Sequence, residues 1–282
     1  MINNITIVGV GLIGGSFALA LQDNKIAKHI IGVDANTANL QKALELGIIN
    51  EALPLVEAVA KSDVIFIAIP VDDTIKVIQK IMPLLRHKQV VVDAGSTKQA
   101  LCQALQHEPM RARFVATHPM WGTEYSGPEA ALHYAFKGKA CVICNAADSA
   151  SDALEIITNI YLQVGMHLVY MNAQAHDLHI AYISHISHIT SFALANTVLQ
   201  KEKEEQAIFE LASAGFESTV RLAKSNAAMW VPILQQNKVN VLDVLNELIN
   251  QLLQFKHSLE NDSTPHLKAL IDCANKIGTI IK

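Results

Sequence analysis

Short runs of aliphatic and β-branched residues recur along the first 170 or so positions, separated by stretches whose apolar residues return every three or four places. The extended runs fall at residues 5–8, 29–33, 64–69, 89–93, 113–117, 140–143 and 167–170. Helical spacing falls between them, at 14–21, 40–46, 73–85, 98–106 and 151–164. Strands alternating with helices predict an α/β domain with a parallel sheet and crossover helices. After Met171 the extended runs stop, and helical spacing takes over at 173–200, 207–213, 218–225, 227–235 and 239–258. The pattern divides the chain into an α/β part, residues 1–171, and an all-helical part, residues 172–282.

Composition narrows the class of protein. With 282 residues, 51% of them hydrophobic, the chain has enough apolar surface for two packed domains. Its formal charge is −4 and its Lys and Arg are scattered, so no basic face is expected for nucleic acid or an anionic membrane. The apolar stretch 5–21 has no Lys or Arg before it and contains Gly9, Gly11, Gly14 and Gly15, which reads as a buried strand and helix rather than a leader. No other stretch approaches the roughly 18 apolar residues of a membrane span, and the expected location is the cytoplasm. Four cysteines, Cys102, Cys141, Cys144 and Cys273, are too scattered for a disulfide framework. Cys141 and Cys144 have redox-motif spacing but lie in a strand pattern, where positions three apart face opposite ways. No regulatory domain is read after the helical part.

The run Ile5-Thr6-Ile7-Val8 leads directly into Gly9-Val10-Gly11-Leu12-Ile13-Gly14-Gly15-Ser16, so the glycine pattern follows a strand and opens a helix. In that context Gly9 permits the tight turn, Gly11 lets backbone N–H groups approach a pyrophosphate, and Gly14 lets the helix pack closely on the sheet. This is a Rossmann-type dinucleotide loop. Leu12 and Ile13, between those glycines, are expected to belong to the cofactor-binding loop. Asp34 ends the next strand run, twenty residues past Gly14, where a carboxylate binds a ribose 2′-hydroxyl and repels a 2′-phosphate. NAD is therefore expected over NADP.

In open parallel sheets ligands sit beyond the carboxyl ends of the strands. Pro70 follows the third long run, Asp93-Ala94-Gly95-Ser96-Thr97-Lys98 the fourth, and His118-Pro119-Met120-Trp121-Gly122-Thr123-Glu124 the fifth. His118 is the natural candidate for a base, because imidazole accepts a proton near neutrality. Ser96 is either a helix cap or a neighbour of His118 in function. In the helical part, Ala175-His176-Asp177 and the stripe Ser184, His185, His188 and Ser191 interrupt an apolar pattern, with Ile183, Ile186 and Ile189 on other sides. Such a stripe faces a cavity or a partner. Two histidines three apart lack the ligand set of a zinc site, and no metal is expected. Arg221 stands among apolar residues after Gly215-Phe216, followed by Met229-Trp230. A buried Arg there requires an anion, either a protein carboxylate or a substrate carboxylate held bidentately.

These motifs, in this order and over nearly the whole chain, resemble the prephenate dehydrogenase family, which also contains arogenate dehydrogenases. The resemblance implies NAD-dependent oxidative decarboxylation of prephenate in tyrosine biosynthesis, by a homodimer formed through the helical domain. It makes His118 the proton acceptor for the ring hydroxyl, assisted by Ser96, and Arg221 the ligand of a substrate carboxylate. His188 and Trp230 line the substrate pocket, and Thr123 and Glu124 gate it. The family commonly has Pro where this chain has Ser187, Asp where it has Ser218, and a smaller residue at Trp121. Other readings are an arogenate dehydrogenase, a 3-hydroxyacid dehydrogenase, whose usual catalytic Lys has no clear counterpart here, and a non-catalytic NAD sensor. A sensor would have little use for His118, Ser96 and Arg221 together.

Overall fold

The computed structural model of the chain describes residues 2–205 and 207–280. The outer ends of the two expected segments, Met1 and Lys282, lie outside the described residues. Eight strands form one sheet: β1 (Ile2–Val8), β2 (Ala27–Val33), β3 (Glu51–Ala52), β4 (Val64–Ile67), β5 (Val90–Asp93), β6 (Phe114–Pro119), β7 (Ala140–Cys144) and β8 (His167–Met171). Their spatial order is β3-β2-β1-β4-β5-β6-β7-β8. Helices α1 (Leu12–Asp23), α2 (Thr37–Glu45), α3 (Leu55–Lys61), α4 (Val71–Ile81), α5 (Gln99–Leu105) and α6 (Ser151–Gln163) accompany the sheet.

The sheet is not wholly parallel, as the strand–helix alternation led us to expect. β6 and β7 pair antiparallel, with His118 opposite Val142, and β8 runs parallel to β7. The cause lies in residues 120–139, whose regular structure is only the single 3₁₀ turn Pro128–Ala130. Without a crossover helix the chain re-enters the sheet from the edge it has just left. The residues after His118, including Thr123 and Glu124, therefore stay at the carboxyl ends of β1, β4, β5 and β6.

Side chains alternate between two cores along each strand. Phe66, Val92, Cys141 and Ile143 pack on one face with Phe17, Phe136 and Tyr161. Ile65, Ile67, Val91, Val142 and Cys144 pack on the other with Leu101, Cys102 and Phe114. Cys141 and Cys144 thus lie on opposite faces, buried and unpaired. On β6, Phe114 and Ala116 belong to the second face, and period-two alternation places His118 with them.

The helical part contains α7 (Ala173–Ile180), α8 (Ile186–Glu202), α9 (Ala214–Val220), α10 (Ala227–Gln236), α11 (Lys238–Glu260) and α12 (Thr264–Asn275). The long helix expected at 173–200 is interrupted by a wide π turn at Ala181–His185. The helix expected at 207–213 is only a short 3₁₀ turn, Phe209–Leu211, among exposed residues with no apolar stripe to bury. Gln236 ties this part to the sheet edge: it accepts from Thr97 Oγ1 at 2.7 Å and donates to the Val71 carbonyl at 2.8 Å. No helix among the described residues is long and apolar enough to cross a membrane.

Candidate active site

The glycine loop has the geometry its sequence requires. Gly9 has φ +93°, and a Cβ there would lie 2.3 Å from the Ala68 carbonyl oxygen. A Cβ on Gly14 would meet the Gly9 oxygen at 1.9 Å, so α1 lies directly against the turn. Around Gly11 there is open space, and no side chain caps α1. The first N–H groups of α1, at Leu12 and Ile13, have no acceptor within the helix and carry the positive end of its dipole. Asp34 is fixed beside them: its Oδ2 accepts from Val10 N at 3.0 Å and its Oδ1 from Asn36 N at 2.8 Å. An open anion cradle and a restrained carboxylate at the end of β2 fit a dinucleotide without a 2′-phosphate. Pro70 stands exposed at the start of α4, beyond the neighbouring β4.

His118, near the end of β6, is 9% exposed. Its Nδ1 lies 2.9 Å from Nε2 of His176 on α7, and His176 Nδ1 lies 2.7 Å from Asp177 Oδ1. Burial first, then the unfavourable proximity of His176, Lys98 and His185 to any charge on its ring, hold the His118 pKa well below that of a free histidine. His118 is thus neutral at pH 7. Lys98 forms a fully buried ion pair with Asp93 at the end of β5. Asp93 also accepts from Gly95 N at 2.9 Å and Thr117 N at 3.2 Å, which pins the β5–α5 loop to β6.

Ser96 lies half-buried in that loop, and its hydroxyl has no hydrogen-bond partner among the described residues. It does not cap α5. The cap comes from the helical part, where Asp177 accepts from Lys98 N at 2.8 Å and Gln99 N at 2.9 Å. His176, Asp177, Lys98 and Asp93 were not among the expected site residues. An adjacent His-Asp pair inside an apolar helix was the available sequence signal for the first two.

In the π turn and α8 that follows it, the polar stripe turns inward: His185 and Ser191 are buried, while Ile183 is 65% exposed. His188 is half-buried, donates from Nδ1 to the Ser184 carbonyl at 3.0 Å, and stacks on Trp230 with ring centroids 3.5 Å apart. Burial lowers the His188 pKa, an effect the hydrogen bond to Ser184 opposes and the Arg221 charge reinforces. Trp230 packs against Val71, next to Pro70, and its Nε1 is buried with no hydrogen-bond partner among the described residues.

Arg221 is not the buried cation its apolar neighbours suggested. It begins a surface 3₁₀ turn, Arg221–Lys224, its side chain is 54% exposed, and its Nη1 lies 3.6 Å from Glu124 Oε2. Its sequence neighbours Val220 and Leu222 are half-buried while Arg221 itself is exposed, so burial of the neighbours does not extend to it. The contact joins the loop after His118 to the helical part. Thr123 bonds only locally, accepting from Tyr125 N at 3.3 Å. The departures from the family pattern are accommodated locally: Trp121 packs on Phe136 at 5.5 Å, Ser187 donates to the Ile183 carbonyl and Ser218 to the Gly215 carbonyl.

Comparison with known proteins gives consistent matches. A model of the prephenate dehydrogenase nucleotide-binding domain matches residues 17–170, and one of the prephenate dehydrogenase dimerization domain matches residues 172–272. The chain is 32% identical over 270 residues to a prephenate dehydrogenase of Bacillus subtilis, covering 95% of this chain and 73% of that one. It is 26% identical over 267 residues to a cyclohexadienyl dehydrogenase of Zymomonas mobilis, covering 94% and 91%. The fold matches the crystal structure of a prephenate dehydrogenase from Aquifex aeolicus in complex with hydroxyphenyl propionate and NAD+, with a TM-score of 0.92 at 29% identity, covering 100% and 99% of the two chains.

Proposed function

Because this chain belongs to the prephenate dehydrogenase family, we propose that it converts prephenate to 4-hydroxyphenylpyruvate with NAD, as a step of tyrosine biosynthesis. The observation that carries this reading is a buried, neutral His118 on the same sheet edge as an open dinucleotide cradle. Gly9, Gly11, Leu12, Ile13 and Gly14 would hold the pyrophosphate, Asp34 the ribose, and Pro70 would border the cofactor site. Held there, NAD would supply the hydride acceptor for the ring carbon that bears the hydroxyl. His118 takes the hydroxyl proton, with Ser96 as a second hydrogen-bonding group. As the bond from the ring to its carboxylate breaks, the electron pair completes the aromatic ring and carbon dioxide leaves.

Arg221 would hold a substrate carboxylate, exchanging part of its pairing with Glu124 for the ligand. Thr123 and Glu124 would then gate the pocket lined by His188 and Trp230. We assign residues 1–171 to the nucleotide-binding domain and 172–282 to the substrate-binding and dimerisation domain, and place the enzyme in the cytoplasm as a homodimer. On α12 no residue is buried, and on α11 only Val241, Val244 and Ser258 are, while Ile249, Leu252, Leu253 and Ile271 are exposed. Apolar helices with so little cover point to a partner copy, and sedimentation at the monomer mass would exclude it.

The direct test follows absorbance of reduced nicotinamide with prephenate or arogenate, each with NAD or NADP. Turnover of prephenate with NAD is expected. Turnover of arogenate alone would make the chain an arogenate dehydrogenase, and turnover of neither would overturn the reading.

A further inference from the structure

We propose that His176 and Asp177 are positioning residues that hold His118 in the tautomer whose Nδ1 carries hydrogen, leaving Nε2 bare to accept a proton. This rests on the reading of His118 as the base. An ionised carboxylate can only accept. His176 Nδ1, 2.7 Å from Asp177 Oδ1, must therefore carry a hydrogen and donate it. A neutral His176 then presents a bare Nε2, which can only accept. His118 Nδ1, 2.9 Å away, must be the donor. Neutral His118 has one hydrogen in total, so its Nε2 has none.

The opposite direction requires a doubly protonated His176 donating to His118 Nδ1, which would move the hydrogen of His118 to Nε2 and spoil it as a base. Burial disfavours that state by lowering the His176 pKa, though Asp177 pulls the other way. Asp177 is itself held rigidly. Its two oxygens accept from Lys98 N and Gln99 N at the start of α5, and its carbonyl accepts from Asn237 Nδ2 at 2.6 Å. His176 and Asp177 are buried, so water does not compete for these bonds.

The arrangement also answers a difficulty in the chemistry. A buried histidine among Lys98, His176 and His185 is a poor place for a positive charge. When His118 takes a proton at Nε2, its Nδ1–H continues to donate to His176, and the cation lies two hydrogen bonds from the Asp177 carboxylate. No further proton needs to move. An orienting carboxylate behind a catalytic histidine acts in the same way in hydrolytic triads.

The test uses the full chain labelled with ¹⁵N-histidine. Long-range ¹H–¹⁵N correlation reports the tautomer of His118, assigned by the signal lost in His118→Asn. The unsubstituted protein should show the Nδ1–H form. His176→Leu, which leaves no acceptor, should shift His118 toward the Nε2–H form and lower kcat by roughly 10²-fold or more, within the range a positioned base contributes, with KM for NAD little changed. His176→Gln, whose side-chain carbonyl can accept, should keep the Nδ1–H form and recover much of kcat. An Nε2–H signal in the unsubstituted protein, or an unchanged tautomer in His176→Leu, would overturn the proposal. If the tautomers behave as expected but His118→Asn turns over normally, the positioning stands and the base assignment falls.

Discussion

At the scale of single residues, the proposed function places the catalytic weight on His118 and the binding weight on Arg221. Asn at 118 keeps polarity but cannot accept a proton at neutral pH. His118→Asn should lower kcat by roughly 10²–10⁴-fold while NAD affinity, read by fluorescence titration, stays nearly intact; near-normal turnover would remove His118 from the chemistry. Arg221→Ala should barely change stability, because a half-exposed pair with Glu124 is worth about 0–1 kcal/mol. It should instead cost about 1.5–3 kcal/mol of prephenate binding, the worth of a hydrogen bond to a charged group, seen as a raised KM. A loss of melting temperature with unchanged KM would make Arg221 structural. His118 was legible in the sequence because it ends a β-branched run and Pro119 stops that run. Its partner was not, since the contact to His176 spans 58 residues and no local pattern records it. Arg221 is exposed although its sequence neighbours Val220 and Leu222 are half-buried, so an apolar neighbourhood in sequence does not report its environment.

At the scale of elements, the site depends on how closely α1 approaches β1. Gly14→Ala puts a methyl 1.9 Å from the Gly9 oxygen and 2.8 Å from Ile7 Cγ2, and backbone cannot move aside as a flexible side chain can. Helix α1 must lift, and the cradle at Gly11 opens with it. The expected result is about 1–3 kcal/mol of destabilisation, as for other overpacked contacts, together with a weaker Kd for NAD by calorimetry. Unchanged affinity would mean that the helix start does not set the cofactor site. Elements with strong periodicity were legible: seven of the strands fall on the β-branched runs, and α1, α2, α4, α5 and α6 on apolar spacing. The two-residue β3 is too short to show a period. Helix α12 was readable, from Leu267, Leu270, Ile271 and Ala274 at helical spacing, but was not read. The reversal of β7 was not readable, because strand direction depends on what the intervening loop fails to form.

At the scale of the whole molecule, the buried imidazoles that serve the site also set how the fold responds to acid. His118, His176, His185 and His188 all have pKa values lowered first by burial, His185 to about 4. In the unfolded chain each returns to the ordinary value near 6.5. Between those limits the unfolded state binds more protons than the native one, so unfolding free energy rises with pH through this window. The contribution of these groups is fully present above about pH 6.5 and is lost as pH falls toward the folded values. For His185 alone, a shift from 6.5 to about 4 corresponds to a loss of about 2 kcal/mol between pH 7 and pH 5. Carboxylates with lowered pKa, such as Asp152 beside Arg113, add a loss in the same direction only at lower pH, below their ordinary values. The window from 7 to 5 therefore isolates the histidines. Urea unfolding across that window, at one protein concentration so that subunit association does not shift with dilution, should show stability falling steadily toward pH 5. His185→Gln should flatten part of that slope even if it lowers stability at pH 7. A midpoint that does not move between pH 7 and pH 5 would mean that these histidines bind protons in the folded protein as they do in the unfolded chain, so that burial would not be what keeps His118 and its neighbours neutral as the pH falls toward 5.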